Sequence, residues 1–125
     1  MANRTFNDAQ ALEKEVKTLF AKISIGASGA PTLVKPGSLG IASVSKVSTG
    51  LYRITLEDTY PALLGVKATA LASSAADMTF QVKLETVSTT KLVEVFCLTA
   101  GVATEPASGT VLFVELSLKN TSVNY

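Results

Sequence analysis

The sequence predicts a mainly β protein: a small antiparallel β-barrel or sandwich that carries one N-terminal α-helix or arm. Three observations lead to this fold class. From residue 41 onward, apolar and polar residues alternate with a period of two over several segments. Short runs rich in Gly, Ser and Thr separate those segments. Only one stretch, near the N-terminus, has a helical period, so no second helix is expected to cover a parallel sheet.

The first predicted element is an α-helix from Asp8 to Ile23, with Asn7 as its N-cap. Its apolar residues recur at intervals of three and four, which places them on one helical stripe. The stripe consists of Leu12, Val16, Leu19, Phe20 and Ile23. Two interpretations remain open: the stripe packs on the chain's own β domain, or it docks on another chain.

A Gly- and Pro-rich segment follows the predicted helix. Residues 26–40, GASGAPTLVKPGSLG, hold four glycines and two prolines, which end a helix and interrupt a central strand. We therefore divide the chain into an N-terminal helix and arm, residues 1–40, and a β domain, residues 41–125.

The β domain is expected to contain about six strands. The first two, 41–47 and 51–57, flank a short connection that ends in Gly50, as in a β-hairpin. The others are predicted at 64–71, 78–87, 91–98 and 110–119. In the last strand Leu112, Val114, Leu116 and Leu118 form one face, while Val111 and Phe113 make the opposite face partly apolar. This strand is therefore expected to pack on both sides.

The composition argues against several classes of partner. With 11 basic and 10 acidic residues the net charge is +1, so no broad positive field is expected to attract nucleic acid or anionic lipid. No apolar run has the length of a membrane span, and the charged N-terminus is unlike a signal peptide. Only 17% of the residues are charged while 47% are hydrophobic, which favours self-association.

The sequence indicates a protein that is not an enzyme and that needs no metal or cofactor. It has no histidine and one cysteine, Cys97, so the common transition-metal ligands and the commonest general base are scarce. Glu57 and Asp58 are adjacent, but neighbours on an extended strand point to opposite faces. A serine–lysine arrangement stays open from the sequence.

One long segment resembles a known family. The stretch GAPTLVKPGSLGIASVSKVSTGLYRITLEDTYPALLGVKATAL is similar to small structural proteins of tailed bacteriophages, the head decoration or cement proteins. The resemblance rests on the GIASV opening at 40–44, the tyrosine-containing strand at 51–56 and YPALLGV at 60–66. It covers about half of the chain.

The resemblance implies a function without catalysis. Decoration proteins bind the outer surface of the phage head as trimers, contact the major capsid protein and stabilise the expanded shell. We therefore expect a virion protein, made in the bacterial host cytoplasm, and the alternative is a tail, tail-fibre or baseplate component. The residues expected to contact capsid or a neighbouring subunit are Phe6, Leu12, Val16, Leu19, Phe20, Ile23, Leu33, Val34 and Tyr60. Tyr60, which precedes Pro61, also fits a purely structural role at a turn.

Overall fold

The structure is a computed structural model that describes residues 15–120. Within this range the chain forms nine strands and one short 3₁₀ turn, Ala27–Gly29. The strands are β1 (Val16–Ile25), β2 (Pro31–Leu33), β3 (Ile41–Ser48), β4 (Leu51–Leu56), β5 (Ala62–Leu71), β6 (Thr79–Glu85), β7 (Leu92–Thr99), β8 (Val102–Ala103) and β9 (Val111–Lys119).

The strands form two antiparallel sheets. Sheet A has the order β2-β1-β9-β5, and sheet B has the order β3-β4-β7-β6, with β8 pairing with the end of β7. Among the described residues the two sheets do not join into a closed barrel, so of the two predicted architectures the sandwich is the one that forms. The mainly β fold class is confirmed.

The core lies between the sheets, and the alternation of buried and outward-facing residues is clearest along β1 and β9. In β9 the four leucine and valine residues predicted to share a face, from Leu112 to Leu118, are all buried. In β4, Tyr52, Ile54 and Leu56 are buried. Because one face of each sheet supplies the core, the register of these strands is fixed by their apolar residues.

The predicted helix is wrong from Val16 onward, because residues 16–25 form β1. Leu19, Ala21, Ile23 and Ile25 point into the core, and the residues between them point outward. Leu19 and Ile23 are four positions apart, a spacing that fits one helical turn and also one strand face. Residues Val16 to Ser24 pair with β9 at nine consecutive positions, and this pairing stabilises the strand instead of the helix. The remainder of the predicted helix, residues 8–14, lies outside the described residues.

Part of the segment assigned to the arm lies in the sandwich. β1 and β2 are strands of sheet A, and the connection that follows β2 runs along the side of the molecule where β2 faces β3. The Gly- and Pro-rich stretch thus contains the 3₁₀ turn, a three-residue strand and the crossover from sheet A to sheet B. The other predicted strands appear with bounds within a few residues of those expected.

Candidate docking surfaces

The outer face of sheet A carries aromatic residues where a solvent-facing sheet is usually polar. Phe20 on β1 is 45% exposed, and Phe113 on β9 is 40% exposed. Their strands are adjacent, and the register pairs Lys22 with Phe113 and Phe20 with Glu115. Phe20 and Phe113 are therefore diagonal neighbours, a relation within reach of aromatic side chains.

Leu39 extends this apolar surface beyond the edge of β1. It forms an isolated antiparallel bridge with Phe20, in which the Leu39 amide donates to the Phe20 carbonyl at 2.7 Å and the Phe20 amide donates to the Leu39 carbonyl at 3.3 Å. The Ser38 hydroxyl accepts from the Lys22 amide at 3.0 Å and donates to the Val34 carbonyl at 2.7 Å. The backbone thus fixes Leu39, although its side chain is 53% exposed.

Leu71 extends the surface in the other direction, onto β5. It pairs with Val111, and the neighbouring pair is Thr69 with Phe113, so Leu71 lies diagonal to Phe113 on the same face. Its side chain is 58% exposed. We call Leu39, Phe20, Phe113 and Leu71 the sheet A stripe, because these residues run diagonally across the sheet from one edge to the other.

Charged and polar groups border the sheet A stripe. The Lys22 ammonium lies 5.8 Å from the centroid of the Phe113 ring, within the range of a cation–π interaction. On the other flank, Lys67 and Glu115 are opposite each other in the β5–β9 register. A shallow depression of about 290 Å³ lies between Phe20, Phe113, Lys67 and Glu115. An apolar strip with a polar rim is typical of a protein–protein contact.

A second surface lies where β5 and β6 face each other across the sandwich. These two strands belong to different sheets, and within residues 15–120 each is hydrogen-bonded to a strand on one side only. Between them is an open groove of about 600 Å³. Its walls include Val66, Ala68 and Ala70 from β5, Phe80 and Val82 from β6, and Met78 just before β6, and no charged residue lines it among those that the structure describes.

Two ion pairs stabilise other parts of the sandwich. Arg53 on β4 donates through Nε at 2.9 Å and through Nη2 at 2.8 Å to Oε2 of Glu94 on β7, whose side chain is only 4% exposed. Lys46 contacts the carboxylate of Glu105 and donates to the Ser28 carbonyl at 2.8 Å. Both pairs connect strands or loops of the fold and lie away from the sheet A stripe, so we assign them a structural role.

The groups with shifted pKa values lie in or next to the core. Burial raises the pKa of Tyr52 to about 12, with a smaller contribution from Cys97, and raises the pKa of Cys97 to about 11. Burial, and then the nearby Asp58 and Glu57 carboxylates, raise the pKa of Tyr60. All three shifts favour the neutral, protonated form, as expected for groups in an apolar interior.

Residues 15–120 contain no cluster of three or more Cys, Asp or Glu residues with the geometry of a metal site. Over the same range, no helix has the length and apolar character needed to cross a bilayer.

The predicted contact residues fall into three groups. Leu19, Ile23 and Tyr60 are buried in the chain's own core, so they are not available to a partner in this fold. Val16, Leu33 and Val34 are half-buried, and Phe20 is exposed on the sheet A stripe. Phe6 and Leu12 lie outside the described residues. Phe20 is thus the predicted residue that the fold presents most openly.

The sequence reasoning missed three residues of the stripe, Leu39, Leu71 and Phe113, as contacts. A signal existed for Phe113, because the outer face of the last strand was expected to be partly apolar and therefore covered. No comparable pattern marked Leu39, whose position depends on its bridge to Phe20.

Comparisons with known proteins gave no match to this chain among family models, curated proteins or solved structures.

Proposed function

We propose that this chain is a structural virion protein that binds the outer surface of a phage capsid as a trimer and stabilises the expanded head. The observation that carries the proposal is the sheet A stripe, four exposed apolar side chains that lie diagonally across the outer face of sheet A and its edge. The sequence resemblance to head decoration proteins supplies the class of partner, the major capsid protein.

A cement protein stabilises the capsid by binding to it and needs no catalytic activity. A protein that binds the expanded lattice and not its precursor stabilises the expanded state by its binding free energy. Phe20 is 45% and Phe113 40% exposed, so burying the exposed part of each ring against a partner contributes about 1 kcal/mol. Several copies that contact the same shell add such modest energies into a durable attachment.

The charge pattern around the stripe is compatible with this partner. Lys22, Lys67 and Glu115 lie at the border of the apolar strip, where they can orient a partner without being fully desolvated. Lys22 lies directly opposite Phe113 and Glu115 directly opposite Phe20, so a partner that covers the two rings also contacts these charges. Assembly would follow synthesis of the chain in the host cytoplasm.

The test is co-sedimentation of the purified protein with expanded heads, in parallel with unexpanded precursor heads, both built from the capsid protein of the phage that encodes the chain. We expect binding to expanded heads. Substitution of both Phe20 and Phe113 by Ser is expected to weaken binding roughly tenfold or more, because two apolar anchors are lost.

The matched control is Val102→Ser on β8, since Val102 is 65% exposed and lies on sheet B. It is expected to bind like the wild type. Equal binding by the Phe20→Ser/Phe113→Ser variant and the wild type contradicts the role of the stripe. Recovery of the protein from purified tails and not from washed, DNA-filled heads would favour the alternative, a tail, tail-fibre or baseplate component.

A further inference from the structure

Among the described residues β5 is the longest regular edge of the sandwich, whereas β6 carries Lys83, Glu85 and a register shift between Val82 and Leu84. β2 is a three-residue edge that starts at Pro31, and β3 carries Lys46 and two register shifts, all of which discourage pairing with another chain. β5 is ten residues long, and Lys67 is its only charged residue. Its one register shift lies near its start, between Leu63 and Gly65, so the run from Gly65 to Leu71 is a regular edge.

The core is also incompletely covered on this side. Val66, Ala68, Met78 and Phe80 pack against the core cluster yet line the groove between the two edge strands. Val82 is 37% exposed at the same place. Core residues are therefore exposed along one side of the sandwich. Subunit interfaces of stable oligomers have the same character, because each resembles a domain core cut in half.

We infer that β5 of one copy pairs with β6 of a neighbouring copy, so that the open sides of the copies close on one another. Each copy offers one free edge from sheet A and one from sheet B on the same side, so pairing β5 with β6 leaves neither edge unpaired. Pairing β5 with a second β5 would leave both β6 edges and both grooves uncovered.

The chemistry of the groove selects a second copy as the occupant. The described residues that line it are uncharged, so bringing two such surfaces together opposes no like charges across the contact. The joined grooves would place the apolar residues of one copy against those of the next. A contact in which one surface meets a different surface on its neighbour gives a closed ring when the rotation between copies closes and a filament when it does not, and the proposed trimer is a ring of three copies. In this respect the inference deepens the proposed function by assigning the surface that holds the copies together.

The test uses the full chain without capsid. Light scattering after size-exclusion chromatography is expected to give a multiple of the 13.0 kDa chain mass, namely three chains for the proposed trimer. Val82→Lys is expected to weaken self-association at least about tenfold, because a charge would be placed in an apolar contact. Val102→Lys, at an exposed position on β8, is expected to leave the mass unchanged.

A cross-linking measurement keeps the test decisive if Val82→Lys does not fold, which circular dichroism would reveal. Ala70→Cys on β5 and Gln81→Cys on β6 are prepared as separate proteins and mixed with a short bismaleimide. Cross-links are expected in the mixture and not in either variant separately. The native Cys97 is 1% exposed and present in both proteins, so it does not contribute to the difference.

A wild-type protein that stays monomeric overturns the inference. Capsid binding through the stripe is tested separately, by co-sedimentation with heads. Equal effects of Val82→Lys and Val102→Lys, or no excess cross-linking in the mixture, also overturn it. A mass of two chains that depends on Val82 supports the β5–β6 pairing and contradicts the trimer. An oligomer that fails to bind heads contradicts the proposed function alone.

Discussion

The two long sides of the sandwich are built in different ways. On the side where β2 faces β3, the chain crosses between sheets and closes the gap with backbone bonds: the Val34 amide donates to the Lys22 carbonyl at 2.8 Å, and the Glu57 amide donates to the Gly40 carbonyl at 3.1 Å. On the opposite side, β5 and β6 are separated by a groove of about 600 Å³. We call these the closed side and the open side. The described residues thus complete the core on the closed side and leave Val66, Ala68, Met78 and Phe80 partly exposed on the open side.

The largest expected effect concerns the core next to the closed side. Leu19 is fully buried on β1, whereas Leu71 on β5 is 58% exposed. Leu19→Ala is expected to lower the free energy of unfolding by about 3–4 kcal/mol, because it removes buried methyl groups and leaves a cavity. Leu71→Ala is expected to cost less than about 0.5 kcal/mol in dilute monomeric protein. Chemical denaturation of both variants measures the difference, and similar losses would contradict the burial of Leu19 and the exposure of Leu71.

A second comparison uses glycines. Gly40, on the closed side, has a φ of +76°, and an added Cβ would lie 2.4 Å from Cδ2 of the buried Leu19. Gly40→Ala is expected to cost about 2–3 kcal/mol, from both the left-handed backbone and the clash in a filled core.

Two further glycines separate the cost of the backbone angle from the cost of the clash. Gly109 has a φ of +93° with nothing within 4 Å of an added Cβ, so Gly109→Ala reports the cost of the backbone angle, about 1 kcal/mol. Gly65, on the open side, has free space and no positive φ, so Gly65→Ala should be nearly neutral. Thermal unfolding ranks the three variants, and a loss for Gly40→Ala no larger than that for Gly109→Ala would rule out tight packing at Gly40.

A smaller effect than that of Gly40→Ala is expected at Tyr52, which connects β4 to the 3₁₀ turn. Its hydroxyl donates to the Gly29 carbonyl at 2.8 Å. Tyr52→Phe is expected to cost about 1 kcal/mol at neutral pH, the usual net value of one hydrogen bond. Denaturation of the variant and the wild type at the same pH gives this difference.

Tyr52 is also expected to make the free energy of unfolding depend on pH. The pKa of Tyr52 rises from 10.0 to about 12 in the folded protein, so its contribution to stability is complete below pH 10 and is lost as the pH rises toward 12. Cys97, raised from 9.0 to about 11, acts in the same direction at slightly lower pH. In Tyr52→Phe the decline above pH 11 should be shallower than in the wild type. Identical slopes in the two proteins would refute the assigned protonation of Tyr52.

Much of the fold could be predicted because strand alternation is a local signal. The hairpin of β3 and β4 and the strands β5, β6, β7 and β9 all lie close to their predicted positions. β1 was assigned to a helix because Leu19 and Ile23 satisfy both periods. Its true state depends on a partner almost 100 residues away in the sequence, β9, which no local pattern reveals.

The candidate sites were less accessible to prediction. Phe20 was selected for its place on a helical stripe, yet it is exposed because β1 turns every second residue outward. Phe113 and Leu71 join it only through the β1–β9–β5 register, and Leu39 joins through one backbone bridge. The groove requires β5 and β6, strands of different sheets, to face each other.

The sequence by itself determined that most of this chain forms amphipathic strands, because apolar and polar residues alternate along it and this pattern is local. It also determined a lean surface charge and the scarcity of residues suited to metal or acid–base chemistry. Only the tertiary structure decided that residues 16–25 are a strand and that four distant apolar side chains form one stripe. It also decided that one side of the sandwich stays open. These features depend on pairing between strands far apart in sequence, and such pairing is a property of the assembled sheets.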